Sequence, residues 1–193
     1  MATTKPLRHT PAVRLFHWLH AISTLLLVLT GLNISYPDKR FGFSSLSQSR
    51  RLHLATASFF VASYVARVYY ALISGDWRNI MFRPRDMVQL PALISFYLLR
   101  RPVEPSYGKY NPGEKLLFTL WKMVIIPLTI IIGCALTWPE RFPHLVRRFG
   151  GLSRIRQRFF LTAVALAASA AVHMYLALSS GPKRLASIFT GQV

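Results

Sequence analysis

Four long apolar blocks, separated by polar and basic segments, dominate the hydrophobic pattern of this 193-residue chain. The blocks lie at about residues 15–35, 52–75, 116–139 and 159–182. Each block reaches the roughly 20 residues with which an α-helix crosses the hydrocarbon core of a bilayer. The first and fourth contain no Asp, Glu, Lys or Arg, the second contains only Arg67, and the third contains only Lys122. The pattern therefore predicts four transmembrane helices.

A fifth apolar stretch, Val88–Leu99, has only about a dozen residues, which is too few to span a bilayer. Four arginines that suit the headgroup layer flank it: Arg83, Arg85, Arg100 and Arg101. We expect this stretch to form a helix at the membrane interface. Gly150-Gly151 predicts a turn before the fourth spanning helix, and Gly181-Pro182 predicts its end.

The expected fold is an all-α membrane protein built as a four-transmembrane-helix up-and-down bundle. A short interfacial helix is expected between helices two and three. No repeat or low-complexity segment divides the chain, so we expect a single transmembrane domain over residues 1–193.

The charge of the chain is concentrated between the apolar blocks. Mean hydropathy is +0.34 and 52% of residues are hydrophobic, yet 24 Lys and Arg face 6 Asp and Glu, a net charge of +18. Basic loops of this kind are attracted to anionic lipid headgroups, which argues against nucleic-acid binding as the reason for the charge. With both termini on one side, that side holds twelve basic residues and the other ten, a small excess that favours cytoplasmic termini.

Cys134 is the only cysteine of the chain. An intrachain disulfide, covalent haem attachment through C-x-x-C-H, and an iron–sulfur or zinc site built from cysteines are therefore excluded. The polar, basic segment Met1–Arg14 leads into a block of full spanning length without an A-x-A-like cleavage signal. We expect the first block to be a permanent helix rather than a signal peptide.

Histidines within the apolar blocks are the candidate functional residues, since ionisable side chains inside a membrane are costly. Helices one and four run antiparallel in the predicted bundle. His17 lies about two residues into the first block and His173 about nine residues before the end of the fourth, so both lie in the half of the bilayer nearer the termini. Because imidazole binds haem iron and a bundle core can hold the macrocycle, His17 and His173 are candidate axial ligands of one haem.

An interfacial position is the alternative for a histidine near the end of a span, and His20 fits that description or that of a hydrogen-bonding group beside a cofactor. His173 is different, because it sits deep in a span without full charges, where its imidazole needs a partner.

Arg67 lies 14 residues after His53 in the second block, about 21 Å further along the helix and in the same half as His17 and His173. Its guanidinium either pairs with haem propionates or extends to the headgroups. Gly31 and Gly133 lie in the opposite half, where glycine allows either close helix packing or room for a flat cofactor.

Several motifs follow one another in a recognisable order. They are Arg14-Leu-Phe-His17-Trp18, Thr30-Gly31-Leu, Arg51-Leu-His53, Gly108-Lys-Tyr-Asn111-Pro-Gly113-Glu-Lys115, His173-Met-Tyr-Leu-Ala and Ser187-Ile-Phe-Thr-Gly191-Gln-Val193. This set, which covers nearly the whole chain, resembles the cytochrome b (gamma) subunit of membrane-bound formate dehydrogenases. The b-type cytochrome subunits of nickel–iron hydrogenases share the four-helix plan, but the Gly-Lys-Tyr-Asn segment favours the formate dehydrogenase branch.

The resemblance implies a membrane-anchoring subunit of the bacterial inner membrane, with cytoplasmic termini and haem b held by histidines of helices one, two and four. It implies a periplasmic iron–sulfur subunit, which delivers electrons from a molybdenum or tungsten catalytic subunit, and quinone as the electron acceptor. By this resemblance His17 and His173 match the ligands of the cytoplasmic haem, and His53 matches one ligand of the periplasmic haem. Asn111 and Gly113 match the segment that lines the quinone site; by themselves they would indicate an ordinary turn before helix three.

One position departs from the family pattern. The partner of His53 should lie 14 residues before His173, and that residue is Phe159, which cannot bind iron. His53 could share a second haem with His144, could hold a five-coordinate haem shielded by Phe159, or could be left over in a protein with one haem. We expect one haem, because an aromatic ring at the ligand position would also fill the pocket.

Two other functions compete with electron transfer. One is a haem-poor membrane anchor of a respiratory complex, and the other is a small transporter whose histidines relay protons. The transporter is disfavoured because the four blocks contain no acidic residue. The primary electron donor is a property of a partner subunit; formate is the donor that the resemblance implies, and a hydrogenase or another molybdenum oxidoreductase is the alternative.

Overall fold

The computed structural model describes residues 7–39, 41–98, 105–179 and 181–192. Four of its helices are long and apolar enough to cross a membrane: Pro11–Ser35, Leu46–Ile73, Pro112–Thr137 and Leu152–Ser179. Within the described residues extended backbone pairs only as a single bridge, between Leu7 and Gln192, and no strand forms. The predicted class, an all-α membrane protein with four spans, is confirmed.

The helices are numbered in chain order. They are α1 Pro11–Ser35, α2 Leu46–Ile73, α3 Trp77–Ile80, α4 Pro84–Met87, α5 Leu90–Tyr97, α6 Pro112–Leu120, α7 Ile126–Thr137, α8 Pro143–Arg148, α9 Leu152–Ser179 and α10 Pro182–Thr190. A 3₁₀ turn at Pro37–Lys39 follows α1, and a π-helical turn at Trp121–Ile125 joins α6 to α7 into one span.

Each spanning helix begins four to seven residues before its apolar block, and polar residues cap the first turn of spans one, two and three. Thr10 Oγ1 accepts from Val13 N at the start of α1, and Ser45 Oγ accepts from Gln48 N at the start of α2. Such caps satisfy amide groups that have no partner within the helix. The apolar pattern therefore predicted the membrane-embedded part of each helix, while the caps set where the helix begins.

The predicted interfacial stretch, Val88–Leu99, contains one helix, α5, and a separate short helix, α4, precedes it. α4 ends at Met87 and α5 covers Leu90–Tyr97, with Pro91 in the first turn of α5. Proline is accommodated in a first turn but not in a helix interior, so the chain starts a new helix there. The end of the predicted stretch, Leu99 with Arg100 and Arg101, lies outside the described residues, as do residues 1–6 and Val193.

The chain divides into two compact units, residues 1–75 with 180–193 and residues 76–179. In the first unit α1 and α2 pack along each other, and α10 adds Phe189 against Trp18, with ring centroids 4.8 Å apart. The amides of Arg8 and His9 donate to the Gly191 carbonyl at 2.8 and 3.1 Å. The N- and C-terminal segments therefore lie at the same end of this unit.

The second unit is built on span three and α9, which pack through a small apolar core. Ile132, Ala135 and Ile155 are its buried residues, and Phe149 and Phe159 pack against them from the sides. The positive φ angles of Gly150 and Gly151, +79° and +93°, make the turn between α8 and α9 that the sequence predicted.

Candidate functional site

His53 on α2 is held by a hydrogen bond to Thr30 on α1. Thr30 is fully buried, and its Oγ1 lies 2.8 Å from Nδ1 of His53. The same hydroxyl donates to the Leu26 carbonyl at 2.6 Å. A hydroxyl has one proton, so Oγ1 must accept from His53, and Nδ1 of His53 must carry the hydrogen. Nε2 of His53 is then left with a lone pair, the form in which an imidazole binds iron.

A second polar pair lies about one turn later on α1 and one turn earlier on α2. Asn33 Nδ2 donates to Ser49 Oγ at 2.7 Å, and Ser49 Oγ in turn donates to the Ser45 carbonyl at 3.3 Å. Both residues are buried. Polar pairs of this kind hold membrane helices together, so α1 and α2 are joined by two successive buried hydrogen bonds at the end where His53 lies.

The two glycines that the sequence analysis could not distinguish have different neighbours. A Cβ at Gly31 would lie 3.7 Å from Cε1 of His53, so this glycine leaves the edge of the imidazole uncovered. A Cβ at Gly133 would lie 3.4 Å from Cε2 of Phe159, so Gly133 lets α7 approach the Phe159 ring on α9. Gly133 therefore serves helix packing, and Phe159 fills the space beside it.

His173 on α9 lies against two aromatic rings of span three. The His173 ring is 5.4 Å from the Trp121 ring and 5.8 Å from the Phe118 ring, centroid to centroid, with interplanar angles of 70° and 62°. The Trp121 Nε1–H donates to Ser169 Oγ, one helical turn before His173, at 2.7 Å. His173 therefore sits in an aromatic setting whose largest ring is itself fixed to α9.

His17 and His20 both lie on α1, and both are half-buried. The His17 ring meets the Trp18 ring edge-on at 5.2 Å, and the His20 ring lies 5.2 Å from Phe60 of α2. His20 thus packs between the two helices of the first unit.

Arg67 is 5% exposed, and its guanidinium lies over the Tyr70 ring, 5.7 Å from the centroid. Tyr70 in turn contacts Phe16, with ring centroids 6.0 Å apart, and its hydroxyl lies 3.0 Å from Oγ1 of Thr10. These contacts place Arg67 level with the start of α1, beside the turn that carries His17. The guanidinium is therefore packed among these side chains of the first unit.

Asn111 forms a capping box with Glu114 at the start of span three. Its Oδ1 accepts from Glu114 N at 2.8 Å, and Glu114 Oε2 accepts from Asn111 N at 2.8 Å. The turn that the sequence suggested at Asn111 is therefore present. The Nδ2 group of Asn111 is buried and makes no hydrogen bond within the described residues, so an amide donor is left over at this position.

Gly113, two residues later, packs against α5. A Cβ there would lie 3.1 Å from Cδ2 of Leu93, which is itself buried. The glycine thus allows α5 to approach span three closely, rather than leaving open space on that side.

The segment after α2 is tied to span three by buried acidic residues. Lys115 Nζ lies 2.7 Å from Asp86 Oδ1, and Lys109 Nζ lies 3.2 Å from Asp76 Oδ1. Burial raises the pKa of Asp86, but hydrogen bonds from Lys115 and from the Arg83 amide, with the charges of Lys115 and Arg85, outweigh burial and lower it below its ordinary value.

His144, the alternative partner that the sequence analysis named for His53, is exposed on α8. The guanidinium of Arg147 lies 3.0 Å from its Nδ1 and can only donate. In a neutral His144 the hydrogen is then on Nε2, so neither ring nitrogen offers a lone pair in this arrangement.

These residues fit haem b. Porphyrin supplies four nitrogens to the iron, so the protein needs to add only one or two axial ligands, and imidazole is suited to that role. His17, His53 and His173 lie half-buried on apolar helices, Nε2 of His53 has its lone pair, and Arg67 provides a buried cation. In the part of the chain that the structure describes, no three His, Cys, Asp or Glu residues cluster as ligands of a bare metal ion, and a pair of axial ligands needs no such cluster.

Four membrane-spanning helices that carry haem-competent histidines define the class of membrane-bound b-type cytochromes. Comparison with known families agrees: the model of prokaryotic cytochrome b561 matches residues 8–191. The chain belongs to the prokaryotic cytochrome b561 family, and membership implies haem b as its cofactor. The resemblance predicted from the motifs is confirmed at the level of a cytochrome b subunit.

Two relatives extend the comparison. The chain is 25% identical over 181 residues to the cytochrome b556 subunit of formate dehydrogenase from Haemophilus influenzae, an alignment that covers 90% of this chain and 71% of the relative. It is 22% identical over 193 residues to a putative protein-methionine-sulfoxide reductase subunit, YedZ1, from Azospira oryzae, covering 95% of this chain and 96% of the relative.

Three residues that contact the candidate ligands were not identified from the sequence as their neighbours, namely Thr30, Phe118 and Trp121, and neither was Ser169, which bonds to Trp121. Thr30 was noted only as part of the Thr30-Gly31 motif. Ser169 lies one turn before His173 on α9, a spacing that places the two side chains on one face and could have drawn attention to it. The contacts of Phe118 and Trp121 depend on how span three packs against α9, which no local signal indicates.

Proposed function

We propose that this chain is the membrane-anchoring cytochrome b subunit of a respiratory oxidoreductase, carrying electrons from a periplasmic dehydrogenase to the quinone pool. The observation that carries the proposal is the environment of His173, a half-buried histidine that lies against two aromatic rings in the charge-free part of α9, residues 159–179. The family match supports haem b at such a histidine. When bound, haem b supplies a carrier for one electron at a time.

In this proposal His17 and His173 are the axial ligands of a low-spin haem b in the cytoplasmic half of the membrane. The motif match and the equal depth that the sequence predicts for the two residues support the pairing. Arg67, buried at the level of the first turns of α1, offers a cation to the haem propionates.

Asn111 is proposed to donate from Nδ2 to a quinone carbonyl at the cytoplasmic edge, since its Oδ1 already caps span three. Gly113 then acts indirectly, by allowing α5 to pack beside Asn111. Both termini are proposed to be cytoplasmic, as the resemblance and the small excess of basic residues favour.

The partner complex is proposed to be of the formate dehydrogenase type, with an iron–sulfur subunit and a molybdenum or tungsten subunit. The alignment with the formate dehydrogenase subunit supports this. A second candidate follows from the other relative, whose whole length this chain nearly matches: electrons would flow outward, from the membrane to a periplasmic reductase of oxidised methionine.

Purified protein tests the haem assignment. We expect a reduced optical spectrum with the sharp α-band of low-spin haem b, and the haem-to-protein ratio should fall in both His17→Ala and His173→Ala. His144→Ala, which changes an exposed histidine, is the matched control and should keep its haem. An unchanged ratio in both of the first two variants would show that the ligands are elsewhere, and a featureless spectrum would favour a haem-poor anchor.

Membranes that contain the native complex separate the two directions of electron flow. Under the first proposal, formate reduces the haem and quinone re-oxidises it. Under the second, a reduced quinone analogue reduces the haem, and methionine sulfoxide re-oxidises it. The donor that reduces the haem therefore decides between the two kinds of partner.

A further inference from the structure

Trp121 is joined to the helix of His173 by one hydrogen bond. Its indole N–H, which can only donate, lies 2.7 Å from Ser169 Oγ. Ser169 sends its single hydroxyl proton to the Leu166 carbonyl at 2.9 Å, so its oxygen can only accept from Trp121. Inside a membrane an indole N–H without a partner is costly, which favours this one position of the ring.

The position of the indole bears directly on His173. The Trp121 and Phe118 rings, at 5.4 and 5.8 Å, both lie close to the imidazole, and both meet it at steep angles. Edge-to-face contacts of this kind have a preferred geometry, so they restrict rotation of the imidazole about its Cβ–Cγ bond.

The backbone of span three is unusual at the same point. Trp121 is the first residue of the π-helical turn, and its carbonyl accepts from Ile126 N, five residues later. Pro127 has no N–H to offer the Met123 carbonyl, so the regular helical bonding is interrupted there. Single π turns occur frequently at functional sites, and this one carries the residue that contacts His173.

We infer that Trp121, fixed by Ser169, is a positioning residue that sets the ring orientation of His173 as a haem ligand. The inference rests on the proposed function, which makes His173 an axial ligand. The orientation of axial imidazoles tunes the electronic state of the iron, and groups that orient a ligand change metal properties without touching the metal.

The test compares Trp121→Phe, Ser169→Ala and the double variant with the wild type, as purified full-length protein. Each single variant should keep its haem but shift the low-field g value of the ferric EPR spectrum and the midpoint potential. The double variant should shift them no further than Trp121→Phe alone, because that change already removes the bond to Ser169. Ser169→Thr, which keeps the hydroxyl, should restore the wild-type spectrum.

Thr162→Ala is the matched control. Thr162 is also on α9, and its hydroxyl donates to the Phe159 carbonyl at 2.8 Å, much as Ser169 bonds to Leu166. This change should leave the g value and potential as in the wild type. If Thr162→Ala shifts them as much as Ser169→Ala does, the effect is a general loosening of α9 and the inference is wrong.

Two further outcomes separate this inference from the proposed function. If His173→Ala keeps its haem, both fail. If His173→Ala loses its haem while Trp121→Phe and Ser169→Ala keep wild-type spectra and potentials, the proposed function stands and the positioning role of Trp121 is refuted.

Discussion

Three buried or half-buried hydroxyl groups, those of Thr30, Ser49 and Ser169, share one arrangement. Each donates its proton to a carbonyl of its own helix and accepts from a donor on a neighbouring helix: His53 Nδ1, Asn33 Nδ2 and Trp121 Nε1, respectively. A hydroxyl used in this way satisfies two polar groups at once in a setting without water. It also defines which group donates in each interhelical bond. For His53, this favours the tautomer that carries the hydrogen on Nδ1.

Thr30→Val should remove the preference of His53 for the tautomer with the hydrogen on Nδ1. The variant removes the acceptor for the Nδ1 hydrogen of His53, so a population with the hydrogen on Nε2 should appear in ¹⁵N NMR spectra of histidine-labelled full-length protein. The loss of one interhelical bond should also lower stability by roughly 0.6 kcal/mol. Ser49→Ala removes the neighbouring bond at similar cost but should leave the His53 signals unchanged; His53 signals that move equally in both variants would contradict a specific role of Thr30.

Asn111→Ser separates capping from quinone binding. Serine is a good N-cap acceptor, so the start of span three should stay intact, while the amide donor at Nδ2 is lost. We expect quinone reduction to slow and reduction of the haem by the electron donor to continue. Asn111→Ala should add a loss of about 1 kcal/mol in stability from the missing cap. Quinone turnover at the wild-type rate in Asn111→Ser would place the quinone site elsewhere.

At the scale of helices, the ends of each span and the connection between spans depend on polar contacts outside the apolar blocks. The connection after α2 is anchored to span three by Lys115–Asp86 and Lys109–Asp76. The Thr119 hydroxyl adds a third tie by accepting from Phe82 N at 2.8 Å. These contacts fix the start of span three, where Asn111 lies.

Lys115→Met should destabilise the protein by about 1–3 kcal/mol, since it leaves a buried carboxylate with one partner fewer. Lys109→Met should cost less stability, because the Lys109–Asp76 pair is longer and more exposed. Thermal unfolding of both variants at neutral pH measures the difference. Equal losses of stability in the two variants would show that the deeper burial of Asp86 does not make its ion pair more important.

The same pair makes stability depend on pH. The pKa of Asp86 is lowered in the folded protein. Its contribution is therefore present above the ordinary carboxyl pKa of about 3.9 and is lost as the pH falls through the lower folded value. Asp86→Asn should reduce the loss of stability between about pH 5 and pH 2; a variant with the wild-type pH profile would exclude Asp86 as a contributor.

At the scale of the whole molecule, the number of haems depends on residue 159. Phe159 packs against the core around Ile132 and Ala135 and covers Gly133, while His53 is hydrogen-bonded to Thr30 through Nδ1. In the proposed assignment, His53 corresponds to one ligand of a second haem site, and an aromatic core residue stands at the position of the other.

Phe159→His should raise the haem-to-protein ratio from one to two in a pyridine haemochrome assay, because it supplies the ligand that the family pattern pairs with His53. It should also lower thermal stability, since the imidazole replaces an aromatic ring that packs on the core. A wild-type protein with two haems per chain would refute the expectation of one. A His144→Ala variant that then drops to one would identify His144 as the substitute ligand.

The sequence by itself determined the class of the protein, the four spans and the candidate ligands. A span is predictable because its free energy in the bilayer depends on the local run of apolar residues, and a histidine within such a run stands out for the same reason. The motifs around His17, His53 and His173 then led to the family that the comparison confirmed. The helix starts and the short helix α4 were not predicted, because caps and prolines act outside the apolar pattern.

Only the tertiary structure decided which side chains meet. Thr30 and His53 are 23 residues apart in the chain, and Trp121 and Ser169 are 48 apart. Their contacts depend on how far each helix is rotated and shifted against its neighbour. That choice is made by packing among many small and polar residues together, and no single stretch of sequence contains it. For this reason, only the folded chain shows the hydrogen-bond partner of His53, the neighbours of His173 and the ring that covers Gly133.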